Sequence, residues 1–297
     1  MSFTVAAAQY PIDRLADWEA YEAKLSRWVA RAAAGGAALA VFPEYGAMEL
    51  ASLAPASAGD LAGSLEAVAA LLPRVDALHA ELAARHGLHI LAASTPRRDP
   101  DGAYHNAARL FAPNGKTGTQ DKLVMTRFER ETWGIAAGTA LRVFDTELGR
   151  LAVSICYDSE FPLLARAQVE AGADVLLVPS CTDALHGYWR VRIGAQARAL
   201  EGQCYAVHAP TVGEAQWCPA VDSNRGAAAV YGPPDGEFPD DGVVAQGQLD
   251  RPQWVFASID TDRVRSLRAD GRVLNARHWG EQPGAAPLPP VEVIDLR

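Results

Sequence analysis

The sequence predicts an α/β fold in which two mixed sheets pack face to face under outer helices. Three observations predict it. Short apolar runs of strand length alternate with longer stretches of helical periodicity. The two halves echo one another: residues 36–44 resemble 172–180, and 86–92 resemble 201–207, each pair a glycine, a buried strand and its exit. Any two βα units look this alike, so the echo leaves duplication open. Finally, 297 residues with 49% apolar content suit one large α/β domain or two modest ones with an ample core.

Residues 3–9 read as a buried strand. Residues 15–34 carry apolar groups at helical spacing and stop at Gly35 and Gly36. A second apolar strand, 37–42, is closed by Pro43. Residues 61–85 are helical, with a break expected at Pro73. A third strand covers 88–94. Segments 104–111 and 116–124 flank Pro113, Asn114 and Gly115, a hairpin signal. The second half repeats the plan: strand 151–155, helix 163–170, strand 175–178, helix 188–200 and strand 204–208. Abundant alanine strengthens the helices. Residues 231–253, rich in Pro, Gly and Asp, read as a long surface loop. A last strand, 254–259, precedes a short helix, 262–267. The plan is therefore one domain over 1–270 and a Pro-rich tail over 271–297. That tail carries Trp279, Val291, Val293, Ile294 and Leu296, so it is expected to pack on the domain or on a neighbouring subunit.

A net charge of −9 argues against nucleic acid and anionic membrane surfaces as partners. Residues 2–9 read as a strand rather than a basic leader, and no apolar run approaches membrane-span length. The four cysteines, Cys156, Cys181, Cys204 and Cys218, are sparse and lack C-x-x-C spacing. That pattern argues against a zinc site or a disulfide framework and suits a reducing cytoplasm.

Chemistry concentrates at three strand exits. Cys156 ends the apolar run from Leu151 and meets a polar, turn-forming segment at once. Such an exit presents a nucleophile at a sheet edge. The common fate of a cysteine is burial as a small hydrophobe, so context must carry the assignment. Glu44 follows a wholly apolar strand, where desolvation raises a carboxyl pKa toward the range of a general base. An ordinary surface or capping glutamate is the bland alternative. Lys122 stands within an apolar-flanked segment, where an ammonium demands carboxylate partners. It would stabilise developing negative charge, or merely guard an edge strand. Among the histidines only His186 and His208 fall near later strand ends, and neither comes with a motif.

Together these residues resemble the nitrilase superfamily of carbon–nitrogen hydrolases. Phe42, Pro43 and Glu44 resemble its catalytic-glutamate motif, and Asp121, Lys122 and Leu123 its lysine motif. The run Ser154, Ile155, Cys156, Tyr157 and Asp158, followed by Phe161, Pro162 and Arg166, resembles its nucleophile motif. Ala197, Arg198, Ala199, Leu200 and Glu201 resemble a helix the family carries downstream, although Gly202 stands where many relatives have Asn. The resemblance implies a four-layer α-β-β-α sandwich, a Glu–Lys–Cys triad acting on a small amide, and no metal or organic cofactor. It also implies a second glutamate seven residues before a glycine. Glu131 stands seven before Gly138, with Glu129 as its rival. Members commonly form homodimers through their helical layers, often exchanging the C-terminal tail.

The segment 126–134 looks most like an uncharacterised bacterial branch whose relatives are sometimes fused to an acetyltransferase-like domain, which is not expected within these residues. The substrate does not carry over. An oxyanion and substrate set is expected from Tyr157, Trp133, Cys181, Thr182 and Trp189, with His186 and Trp217 nearby; ordinary packing is the alternative for each. Asp158 and Glu160 are expected to cap the following helix rather than bind a cationic group. Arg166 and Arg198 are expected to be structural. A nitrilase acting on a nitrile and a catalytically silent scaffold are the competing readings.

Overall fold

The computed structural model describes residues 1–282 and 289–297; part of the Pro-rich tail, 283–288, lies outside the described residues. The first half runs β1 (Ser2–Pro11), α1 (Trp18–Ala34), β2 (Ala37–Val41), α2 (Pro55–Ala58), α3 (Leu61–His86), β3 (His89–Leu91), β4 (Thr95–Arg98), β5 (Tyr104–Phe111), β6 (Thr117–Asp121) and β7 (Ile135–Ala136). The second half runs β8 (Leu141–Thr146), β9 (Gly149–Val153), α4 (Pro162–Glu170), β10 (Val175–Ser180), α5 (Leu185–Gly202), β11 (Tyr205–Glu214), β12 (Ser223–Asn224), β13 (Ala229–Tyr231), β14 (Val243–Gln246), β15 (Gln253–Asp260), α6 (Thr261–Asp270), α7 (Asn275–His278) and β16 (Val291–Asp295).

Side-chain alternation sets the layers. Val5 and Ala7 of β1 join Val143, Leu151, Val153 and Leu177 in a core between the sheets. Their neighbours Ala6, Ala8 and Tyr10 join Tyr21, Leu25 and Trp28 of α1 and Val68, Leu78 and Leu82 of α3. The same division separates Leu39 and Val41 from Ala40 and Phe42. One sheet places β1 parallel to β2 and β2 parallel to β3, with β15 antiparallel on the other side of β1. β5 then pairs antiparallel with β3, β4 and β6. The other places β10 parallel to both β9 and β11, with β8 antiparallel to β9. Ala165, Val169, Val191, Ala195 and Ala199 of α4 and α5 join the apolar core on this side. The two sheets meet where Tyr10 and Pro11 pair with Thr211 and Val212. This is the expected α-β-β-α layering. A Cβ at Gly202 would meet Val169 at 3.0 Å and the Cys204 sulfur at 3.1 Å, which explains the glycine after Glu201.

Two expectations change, for Pro73 and for the segment 231–253. Pro73 does not break its helix: α3 runs unbroken from Leu61 to His86, held by Val68, Val75 and Leu78 packed against the sheet. Tertiary burial there outweighs the missing backbone donor. The segment 231–253 is not all loop, because β14 pairs with β13 as a partly exposed edge. The tail packs on its own chain in part: β16 runs parallel to β8, and the Leu296 amide donates to the Asp145 carbonyl at 2.7 Å. The Arg166 guanidinium sits 5.1 Å from the Trp279 ring. Among the described residues no helix is long and apolar enough to cross a membrane.

Candidate active site

Four strand exits converge. β2 leads through Pro43 to Glu44, β6 to Lys122, β9 through Ser154 and Ile155 to Cys156, and β10 to Cys181. Each backbone is pinned just beyond its strand. The Lys122 amide donates to the Asn106 carbonyl at 2.9 Å, and the Gly138 amide to the Lys122 carbonyl at 2.7 Å. The Ser154 amide donates to Leu177 at 2.9 Å. Cys156 then turns into the left-handed region at φ 47°, opening a tight turn over Cys156–Glu160. A non-glycine residue there is strained by about 1–2 kcal/mol, and the turn holds it: the Ser159 hydroxyl donates to the Cys156 carbonyl at 2.6 Å. Tyr45, next to Glu44, is also left-handed at φ 52°. Its amide donates to Ser94 Oγ at 2.9 Å.

The polar centre is one hydrogen-bonded cluster. Lys122 Nζ donates to Glu44 Oε1 at 2.7 Å and to Glu129 Oε2 at 2.6 Å. Asn106 Nδ2 donates to Glu44 Oε1 at 2.8 Å and to Glu129 Oε1 at 3.3 Å. The other Glu44 oxygen accepts the Cys181 amide at 2.9 Å. Glu129 also accepts from the Tyr45 hydroxyl at 2.8 Å and from the Thr126 amide and hydroxyl at 3.0 and 2.9 Å. Cys156 Sγ lies 3.9 Å from the Cys181 carbonyl oxygen.

Burial and pairing set the charges. Burial pushes the Glu44 carboxyl up, Lys122 pulls it back and Glu129 adds to the rise; the net direction is upward. Burial works to lower the pKa of the Lys122 ammonium, but Glu44 and Glu129 outweigh it and raise it well above its ordinary value. Burial also works to raise Glu129, yet Lys122 and the Thr126 amide bring it below the usual carboxylate range. Burial, with the Glu44 charge, pushes the Cys156 thiol well up. Burial thus favours the protonated form of the thiol and raises the carboxyl of Glu44 in the same cluster.

The second carboxylate on Lys122 is Glu129, not Glu131. Glu131 has 53% of its side chain exposed and pairs with Arg127, whereas Glu129 has 3% exposed. Both stand in the single wide turn Phe128–Trp133, where residues two apart point to nearly opposite sides. Trp133 does not face the cavity. Its indole donates to the Leu61 carbonyl at 3.1 Å and its ring packs on Tyr45, supporting the cluster from behind. Trp189 is 48% exposed on the outer side of α5 and does not line the cavity either. Tyr157, Cys181 and Thr182 do, beside Cys156, around a cavity of about 530 Å³. Asp158 caps nothing. It is buried and accepts the Leu123 and Val124 amides at 3.1 and 2.8 Å, clamping the segment after Lys122. Glu160 faces the cavity, 3.4 Å from Arg190. Arg166 and Arg198 bind Glu170 and Glu201 on their own helices. Among the described residues no group of three or more His, Cys, Asp or Glu is arranged to hold a metal ion.

An α-β-β-α sandwich with buried Glu, Lys and Cys at its strand exits defines a class. The sequence profile of that class, carbon–nitrogen hydrolase, matches residues 4–269, and the chain belongs to this family of the nitrilase superfamily. It is 33% identical over 269 residues to the probable hydrolase YhcX of Bacillus subtilis, covering 91% of this chain and 52% of that one. It is 33% identical over 145 residues to the deaminated glutathione amidase of Yersinia enterocolitica, covering 45% of this chain and 50% of that one. The chain thus spans about half the length of these curated relatives. Among solved structures, the carbon–nitrogen hydrolase of Helicobacter pylori G27 superposes with a TM-score of 0.74 at 18% identity, covering 90% of this chain and 92% of that one. The NitFhit protein of C. elegans superposes with a TM-score of 0.71 at 25% identity, covering 90% and 63%.

Proposed function

We propose that the protein hydrolyses a carbon–nitrogen bond of a small linear amide through a thioester on Cys156. One observation carries this reading: Glu44 is held by Lys122 at 2.7 Å and by the amide of Cys181 at 2.9 Å, and the carbonyl oxygen of that same Cys181 lies 3.9 Å from the thiol of Cys156, which lines a cavity. In the first half-reaction Glu44 takes the thiol proton as sulfur attacks the carbonyl carbon. Lys122 and the Tyr157 amide stabilise the tetrahedral oxyanion. Glu44 then returns the proton to the leaving nitrogen, and the amine departs. In the second half, water enters, Glu44 removes its proton, and the thioester gives a carboxylic acid and the free thiol. Glu129 keeps Lys122 charged and oriented. The cavity suits a small molecule rather than a protein substrate.

The proposal extends to a cytoplasmic homodimer. Leu185, Trp189, Ile193 and Leu200 are exposed along one face of α5, with Leu163 of α4 exposed as well. An apolar stripe of that kind suits burial against a second copy. Free cysteines suit a reducing compartment.

Intact-protein mass spectrometry during turnover tests the chemistry. An acyl adduct mapped to Cys156 is expected on an accepted amide, and Cys156→Ala is expected to abolish both adduct and ammonia release. Ammonia from a nitrile panel but not from an amide panel would replace the amidase with a nitrilase. Full activity in Cys156→Ala would end the assignment.

A further inference from the structure

The cavity above Cys156 is walled by charge that does not balance. Arg127 and Arg190 supply its cations. Each is already engaged. Arg127 lies against Glu131 through contacts of 2.9–3.2 Å, and Arg190 against Glu160 at 3.4 Å. Two further carboxylates face the same space, Asp183 and Asp222. Among the described residues neither makes an ion pair. Their backbone carbonyls hold the wall in place by accepting the Ser223 hydroxyl and the Ala215 amide.

Below the rim the imbalance continues. Lys122 faces Glu44 and Glu129, and Asp158 is bonded to backbone amides. Glu160 stands in the same tight turn as Cys156, with 20% of its side chain exposed, while its partner Arg190 has 57% exposed. Burial raises the Glu160 carboxyl in spite of Arg190, so this partner does not fully offset its desolvation. Among the residues that line the cavity, three carboxylates, Glu160, Asp183 and Asp222, stand against two cations, Arg127 and Arg190. A concave site with an excess of one sign concentrates ligands of the opposite sign and repels those of the same sign.

We infer that the cavity selects amides bearing a cationic group, such as a primary ammonium, with Asp183 and Asp222 as the specificity-determining residues that receive it. This rests on the hydrolase reading for its chemistry but not for its electrostatics. An ammonium at the rim gains two carboxylates that lack an ion-pair partner, whereas a carboxylate there meets them as like charges. Neutral amides gain neither effect.

Two measurements on the full chain separate the ideas. In the first, Cys156 is modified by methanethiosulfonates carrying either an ammonium or a sulfonate. Rates are normalised to free cysteine and located by peptide mass, because Cys181 lines the same cavity. The cationic reagent is expected to react about 10-fold faster at low ionic strength, with the ratio shrinking in high salt. The Asp183→Asn, Asp222→Asn double variant is expected to bring the ratio toward one. An equal or inverted ratio in the native protein, or failure of both reagents to reach Cys156, overturns the inference. In the second, hexanamide is compared with its 6-amino analogue and with the half-amide of adipic acid. The amino compound is expected to have the highest kcat/KM, and the double variant to lose that preference. Hydrolysis that favours the neutral or anionic amide sinks the inference and leaves the hydrolase standing. No hydrolysis at all, with labelling that still favours the cation, sinks the hydrolase and leaves the cavity's charge preference.

Discussion

Glu129 and Glu131 flank Arg130 with the same residue type and different fates. One is buried against Lys122 and the other pairs with Arg127 in solvent. Removing one member of a buried ion cluster leaves a charge uncompensated, at a cost of about 3–5 kcal/mol. Glu129→Gln is therefore expected to lower kcat/KM at least about 100-fold, on the scale of losing a positioned electrostatic group. Glu131→Gln is expected to stay within about twofold, as an exposed pair contributes little. Steady-state kinetics on both variants checks this, and equal losses would contradict it. The proposed base has its own signature. In the proposed mechanism Glu44 must be ionised to accept the thiol proton, and burial raises its pKa. Activity should therefore fall on acidification with a midpoint above about 4.3, the value of a free glutamate. A pH profile of kcat/KM with its acid limb at or below that value would remove Glu44 from the role.

At the scale of elements, the nucleophile turn is held from two sides. α5 approaches it at Gly194, where a Cβ would meet the Ser159 carbonyl oxygen at 2.9 Å. Gly194→Ala must displace either the helix or the turn that carries Cys156. Overpacking of this kind costs about 1–3 kcal/mol, and a loss of kcat larger than the loss of folded protein is expected. Kinetics alongside thermal unfolding reads both. On the other side, Asp158 clamps Leu123 and Val124, and burial raises its carboxyl to about 7. The folded state thus binds this proton more tightly than the unfolded chain. The resulting stability is present below about 3.9 and is lost as pH rises toward the folded value. Relative to Asp158→Asn, the native protein should lose stability between those limits. Denaturant unfolding of the pair across that pH range checks the sign.

For the whole molecule, the outer helical layer carries the prediction about assembly. Ile193 is exposed in the middle of the α5 stripe. Ile193→Lys would place a charge where a second copy is proposed to pack, so sedimentation should shift from dimer to monomer while the isolated fold persists. A native protein that sediments as a monomer would refute the proposed pairing. The alternation along β1 and β2 that separates the inter-sheet core from the helix-facing core is a property of the complete sandwich. So is the junction where Tyr10 and Pro11 meet Thr211 and Val212.

Much of this was legible in the order of residues. Strand period, glycine stops and apolar runs ending on Glu44 and Cys156 are local signals, because a strand fixes its side chains at a period of two. Lys122 was legible as an ammonium in apolar surroundings that needed carboxylate partners. Which carboxylate would supply the second partner was not, since linear spacing does not say which side of a turn faces inward. Asn106, Tyr45 and the Cys181 amide bear no motif; they became part of the site only when separate strands brought them within hydrogen-bonding reach. Pro73 stayed helical and Trp133 left the expected pocket because packing against distant segments overrode the local signal; Trp189 lies on the exposed side of its helix. The sequence by itself determined the strands, their exits and the chemistry placed there, because those depend on neighbours in the chain. Tertiary structure alone decided which groups share protons and which face the cavity, because charge interactions depend on distance through space and on exclusion from water.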